Sequence, residues 1–415
     1  MKKLFSLVFV MVLILTACTN TDNNSEAVND ALDTQQQELA ILKETVLTMG
    51  TSLTEMHASI DALNTKLESV QSALYDGTVI FEIITEDTRI IKTVAYKDAD
   101  DLSAFNLLTN TFDVDYSTSE WGVFVNGIET LIPQYGQFIS MQKNDAMMPE
   151  GIGTINYQDG DVFSFELVWW DQQAKALYEA IQLTLDYYLL QSIDTLDYQV
   201  LMALDILNIP LDLEVSQEPA EGLSNQIKQV FMLALLGHDV DAVTEAIYNQ
   251  GLDHHLFTMS LMALALNARK TEDYASFQTE YLNLIETLDV DTIDLDTLSM
   301  VLMTLNAYNQ PLAITQTIIE RIQTEAFNNS YGDNAASFSM NILGLLSQGV
   351  NPENIELMST LIDYQADNGT FYYQLEDENT ELLFSTPQSF LALVMMQAFL
   401  NQGMQPVNPY TMILE

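Results

Sequence analysis

Lysine and arginine are scarce in this chain: 13 stand against 59 aspartates and glutamates, giving a net charge of −46 over 415 residues. A field of that sign repels phosphate backbones and anionic headgroups, which excludes nucleic acid as a partner. Only 17% of residues are charged, so amides and hydroxyls fill the polar surface. The acidity therefore reads as solubility outside a cell before it reads as recruitment of a cationic ligand. Cysteine is nearly absent too: Cys18 is the only one. A disulfide framework and a cysteine-rich zinc site are excluded on that ground. The histidines are His57, His238, His254 and His255, and adjacent histidines rarely reach one metal together, so no zinc enzyme and no metal are expected. Neither a G-x-S-x-G elbow nor a P-loop occurs, and no catalytic residue or required cofactor is assigned. What the chain has in quantity is apolar surface: 48% of residues, with 18 Tyr and 18 Phe, enough for the cores of two or three domains.

The first residues carry the most specific signal. Lys2 and Lys3 precede an apolar run, LFSLVFVMVLIL, of signal-peptide length and too short to span a membrane comfortably. It ends in Leu15, Thr16, Ala17 and Cys18, which resembles a bacterial lipobox. The resemblance implies a signal peptide over 1–17, cleavage before Cys18, and diacylglycerol on its sulfur. A lipoprotein on the outer face of the cell membrane follows, each buried methylene adding ~0.8 kcal/mol of affinity. The alternative is a free thiol in an ordinary signal peptide. Residues 18–31 read as a flexible spacer.

A heptad then runs over 32–75. One seam is Leu32, Leu39, Val46, Leu53, Ile60, Leu67 and Leu74; the other is Leu42, Met49, Met56, Leu63 and Val70. Alternating steps of three and four predict a coiled-coil stalk, self-associating as a homodimer or trimer. A helix folded back on its own domain is the alternative, because Gly50 weakens the middle.

From residue 78 to 170 the period becomes two. TVIFEIITE and RIIKTVAYK predict strands, DLSAFNLLTNTF a short helix, and VFSFELVWW a closing strand. Asn126-Gly127 and Asp159-Gly160 read as tight turns with positive φ. Trp121-Gly122, Val125-Asn126-Gly127 and Asp159-Gly160-Asp161, in that order, resemble the small β domain at the C-terminus of transcobalamin and intrinsic factor, a β-grasp-like module. The run Asp98-Ala99-Asp100-Asp101 matches the acid motif of squalene-hopene-type cyclases, but its place at a helix start favours dipole stabilisation.

Residues 172–415 have a period of 3.6 throughout. Three apolar helices register at about 40 residues, around Ser260, Met300 and Met340, with wetter helices between them, which predicts an array of helical hairpins. Gln365, Asn368, Gly369, Thr370 and Phe371 fit a recurrent turn and resemble the terpenoid-cyclase and prenyltransferase-like α/α toroids. The resemblance implies a complete or partial toroid in which this turn is a fastener and not a site. Asp289, Asp291, Asp294 and Asp296 lack the glycine and distal glutamate of a calcium loop, so helix capping is their expected work. The fold class expected is multidomain α+β: coiled-coil helix, small β-rich domain, C-terminal toroid.

A toroid joined to this β domain is the pairing found in transcobalamin and intrinsic factor, in reversed order. The resemblance implies a non-catalytic protein capturing a corrinoid (a cobalamin-like ligand), or another bulky small molecule, between the two. Contacts would come from Trp121 and Phe124 on the β side. On the helical side they would come from Tyr198, His254, His255, Asp296, Asp333, Asn334 and Gln388 at inner-helix starts, a histidine standing as axial ligand to cobalt. For each, capping or packing is the plainer alternative. A membrane transporter is a further expected partner. The competing function is a structural or adhesive surface protein that binds proteins or glycans.

Overall fold

The computed structural model describes residues 25–85, 88–97, 103–120, 122–148, 151–193, 196–251, 254–268, 274–328, 333–375 and 382–413; side chains of the first helix are described over 39–66 and of the last long helix from 384. Cys18, the acidic run 98–101 and Trp121 lie outside these residues. The described residues form fourteen α-helices and seven strands, a mixed α+β chain. Among them no helix is long and apolar enough to cross a membrane. Two compact units emerge, residues 1–82, 90–111 and 142–164 in one and 83–89, 112–141 and 165–415 in the other.

In the first unit, α1 runs unbroken over Ser25–Leu74. It begins ahead of Leu32, inside the stretch expected to be a flexible spacer. The heptad pattern sees only apolar residues, whereas Ala, Glu and Gln in SEAVNDALDTQQQ propagate a helix without them. Gly50 does not interrupt it, and the hydroxyls of Thr48, Thr51 and Thr54 each bond the carbonyl four residues back. Every residue over 39–66 is exposed. The eight seam side chains from Leu39 to Leu63 keep 50% to 66% of their surface in water.

The strands are β1 (Gly77–Ile84), β2 (Arg89–Tyr96), β3 (Val114–Ser119), β4 (Gly122–Ile128), β5 (Gln137–Lys143), β6 (Ala146–Met147) and β7 (Val162–Trp169), with α2 (Ala104–Thr111) between β2 and β3. A five-stranded sheet has the order β2-β1-β7-β5-β6, so the first and last strands are neighbours. Within the first unit Phe81 stacks on Phe163 with centroids 5.7 Å apart, and α2 buries Ala104 and Leu108 completely. Asn144 and Asp145 take φ of 52° and 63°, the two-residue turn that matches strand twist, and join β5 to β6.

The second unit opens with an antiparallel ribbon in which β3 pairs with β4 and a bulge lies between Asp115 and Tyr116. Asn126-Gly127 is not the turn expected: both residues sit in β4, Gly127 opposite Asp115. The chain turns instead at Glu129, φ 53°. In the first unit Asp159-Gly160 does turn, Gly160 at φ 80°.

Twelve helices follow: α3 (Gln172–Leu189), α4 (Tyr198–Ile206), α5 (Leu223–Leu235), α6 (Asp241–Tyr248), α7 (Leu256–Asn267), α8 (Ala275–Glu286), α9 (Leu295–Ala307), α10 (Ile314–Glu325), α11 (Ala335–Ser347), α12 (Leu357–Asp363), α13 (Leu382–Asn401) and α14 (Pro409–Met412). All thirteen residues of α11 are buried, whereas α10 buries only Ile318, Ile319 and Ile322. That contrast separates inner helices, apolar all round, from outer ones with one wet face. Neighbour relations run from α4 to α13, α11, α9, α7 and α5, and from α5 back to α4. At Gly344 a Cβ would stand 2.8 Å from Ser299 Cβ, so glycine lets α11 lie close on α9. Tyr410 and Val407, from the last residues, are buried in the same core.

Candidate functional site

The inner helices share a direction, which brings their starts to one end. Ser337, in the first turn of α11, donates to Asp296 Oδ2 in the first turn of α9 at 2.9 Å. Asn267, the last residue of α7, bonds the carbonyl of Ala307, the last of α9, at 3.3 Å. Ser339 of α11 meets Ser389 of α13 at 3.1 Å. The starts of α7, α9 and α11 therefore lie together, with α13 passing beside them.

Of the residues expected at a ligand, Asn334, His255 and Tyr198 are engaged in capping or packing these helices, whereas Asp333 and Phe124 are exposed. Asn334 is buried and caps α11 through Ser337 N at 2.9 Å. His255 is exposed and caps α7, its Nδ1 accepting from Phe257 N at 3.4 Å. Asp294 caps α9, accepting from both the amide and the hydroxyl of Thr297 at 2.8 Å. The acidic loop before it is bridged by Arg321, which donates to the carbonyls of Val290 and Ile293. Tyr198 is buried, stacked on Phe231 at 5.6 Å, and hydrogen-bonded to Tyr410. Asp333 is exposed and acts on Tyr364 through its charge. Phe124 stands half exposed on β4, opposite Ser117 in the ribbon.

Three expected residues differ from these. His254 Nε2, Asp296 Oδ1 and Gln388 Oε1 are shielded from water and have no hydrogen-bond partner among the described residues. Burial pushes the Asp296 carboxyl up from 3.8 to about 6; the Ser337 hydroxyl opposes the shift and the nearby Asp294 charge adds to it. A shielded polar atom without a partner costs roughly 1–3 kcal/mol, so an arriving hydrogen-bond or coordination partner would recover that energy. Ser337, which holds the carboxylate, was not foreseen; a serine in an apolar helix reads as a small core residue. Among the described residues no group of three or more His, Cys, Asp or Glu could hold a metal ion.

Within the second unit, the loop before β5 and the end of β7 also meet helices directly. Gln397 on α13 donates to Gln134 Oε1 at 2.7 Å, and Tyr135 N donates to Asn401 Oδ1 at 2.9 Å. Trp169 lies against Tyr178, 5.5 Å between centroids. At Gly136, φ 86°, a Cβ would come within 2.6 Å of Ala174 Cβ, so only glycine allows this approach. The cavity left among these residues is about 10 Å³, room for about one water. A corrinoid does not fit at this junction. The signal that could have found it is Gln397 and Asn401, two amides late in an apolar helix.

No family model matches the chain. No curated protein matches it either. Among solved structures, a candidate metal-binding protein from Ruminococcus gnavus ATCC 29149 is 18% identical, with 23% of this chain and 98% of that one covered, at a TM-score of 0.21. A likeness of that extent assigns neither fold nor function to this chain.

Proposed function

We propose that this chain is a non-catalytic binding protein, held on the outer face of a bacterial membrane by a lipid on Cys18. Its helical half reads as an α/α toroid, a reading supported by the closed order of neighbours from α4 round to α5. The ligand is a bulky small molecule, with a corrinoid as first choice, and it docks at the starts of the inner helices. The single observation behind this is the set of shielded, unpartnered atoms on or beside three inner helices: His254 Nε2, Asp296 Oδ1 and Gln388 Oε1. A bare imidazole nitrogen suits an axial position on cobalt, and an amide and a carboxyl suit the amide rim of such a ligand. The filled junction at Gln134 and Tyr135 moves the expected docking place away from that contact.

The test is a titration of the full chain in detergent with cobalamin, followed by its visible spectrum. A band shift that is lost in His254→Ala supports the reading. An unchanged spectrum up to about 50 µM ends the corrinoid assignment. A second reading, a surface protein that binds proteins or glycans, is favoured by the half-exposed Tyr116 and Phe124 on the β3–β4 ribbon. Affinity capture from cell-surface extracts that yields a macromolecule, with no small ligand in the mass spectrum of native protein, would prefer it.

A further inference from the structure

We propose that α1 pairs with α1 of a second copy of this chain, as a parallel coiled coil through the seam running from Leu39 to Leu63. The proposal is independent of the ligand reading.

That seam is bare along its length. With eight apolar side chains at least half exposed, it offers on the order of 1,000 Å² per helix, the scale of the ~800 Å² per partner that a stable interface buries. The groove beside the seam, lined by Ile41, Thr45, Met49, Leu53 and Met56 and also by Glu44 on the outer position f, measures about 540 Å³, and all its lining residues belong to α1. A small molecule lying there would stay half in water, whereas a second helix with the same repeat supplies the missing wall.

Charge placement selects a copy of this chain as that helix. With Leu39, Val46, Leu53 and Ile60 at the a positions, the acids Glu44, Glu55 and Asp61 fall on the outer positions f, c and b. The e and g positions that flank the seam over 39–66 hold Lys43, His57, Lys66 and neutral residues, with no acid. In a chain with 59 acids and 13 bases, two copies can meet along this face over 39–66 without carboxylate repulsion across the seam. In a parallel pair each g faces the e five residues on, which sets Thr45 by Gly50, Ser52 by His57 and Ser59 by Asn64, so no like charges meet. The reverse orientation sets e against e and brings Lys43 toward His57.

The experiment weighs the full chain in detergent by light scattering corrected for bound detergent. The unaltered chain is expected at twice its monomer mass, and Leu53→Glu with Met56→Glu at half that, with the circular-dichroism melt of the rest unchanged. Thr51→Glu, on the outer position f, keeps the double mass. Leu39→Cys is expected to cross-link to its own copy under mild oxidation, beyond any background from the chain without that substitution. A monomeric unaltered chain, an equal loss of mass in Thr51→Glu, or no added cross-link at position 39 would each overturn the proposal. So would a monomer that co-purifies with a different helical protein on the seam.

Discussion

Ser337 on α11 donates its hydroxyl to Oδ2 of Asp296 on α9 at 2.9 Å, while Oδ1 of the same carboxylate has no partner among the described residues. The two oxygens pull the acid in opposite directions, and burial wins, raising its pKa to about 6. Folded, Asp296 holds a proton that the unfolded chain releases near pH 4. Between roughly pH 4 and 6 the native state binds more protons than the unfolded one, so stability falls as pH rises and levels off above 6. Asp296→Asn removes this slope. Its unfolding free energy is expected to gain on the wild type by about 2–3 kcal/mol from pH 4 to 7.5, less where water reaches the carboxyl. Urea titrations of both proteins at the two pH values measure it, and a constant difference between them refutes the assignment.

The turn after α12 is a fastener. Gln365 Nε2 reaches the Ala180 carbonyl at 2.7 Å and Thr184 Oγ1 at 2.8 Å, Thr184 returns a bond to the Gly369 carbonyl at 2.9 Å, and Phe371 is fully buried. Gly369 holds φ 86°, and a Cβ there would lie 2.2 Å from the Leu183 carbonyl oxygen. Gly369→Ala is therefore expected to lose about 3 kcal/mol or more through strain and the forced retreat of α3. Gln365→Ala should lose about 1–3 kcal/mol by leaving buried groups unpaired. Denaturant midpoints for both variants within error of wild type would show that this turn holds nothing.

The inner helices were legible because burial on every side writes itself as an uninterrupted apolar run: Ser260, Met300 and Met340, spaced forty apart, are all buried. The β3–β4 ribbon was half hidden. VDYSTS is exposed over almost its whole length, so no alternation marks it, and Asn126-Gly127 has turn chemistry that the ladder to β3 overrides. The expected helix starts singled out His254, His255, Asp296, Asn334 and Gln388, although Gln388 stands in the second turn of α13, which begins at Leu382. Which of them cap and which are left unpaired depends on side-chain geometry that residue type does not encode: His255 and Asn334 cap, and their neighbours do not.

Asp161 gives the opposite pH response. Burial raises its pKa, but the Lys143 ammonium, the Asn144 amide and the Gln158 N–H outweigh that and bring it below 3.8. Its oxygens accept from Lys143 Nζ at 2.7 Å, Asn144 Nδ2 at 2.9 Å and Gln158 N at 2.7 Å. A depressed carboxyl stabilises above its unfolded pKa, and the gain disappears as pH falls through the folded one. Asp161→Asn should lose about 1–3 kcal/mol at pH 7. The gap should close below pH 4, because protonation then disarms the wild type too. A gap that persists undiminished at pH 3 in urea titrations rules out this ion pair as its source.

The last residues are core and not tail. Asn408 Nδ2 donates to the Met303 carbonyl at 2.7 Å and to Asn306 Oδ1 at 2.9 Å, and Val407 N donates to the Leu346 carbonyl at 3.1 Å. These bonds tie the segment to the last turns of α9 and α11. Tyr410 then carries its ring to Phe231, 4.9 Å between centroids, and its hydroxyl to Tyr198. Tyr410→Ala is expected to lose about 3–5 kcal/mol, the loss on truncating a buried aromatic. Tyr410→Phe, which keeps the ring and removes one bond, should lose about 1 kcal/mol. The ratio of the two separates packing from hydrogen bonding. A chain ending at residue 403 that melts within a degree of the full one would show that the inner helices close without this segment.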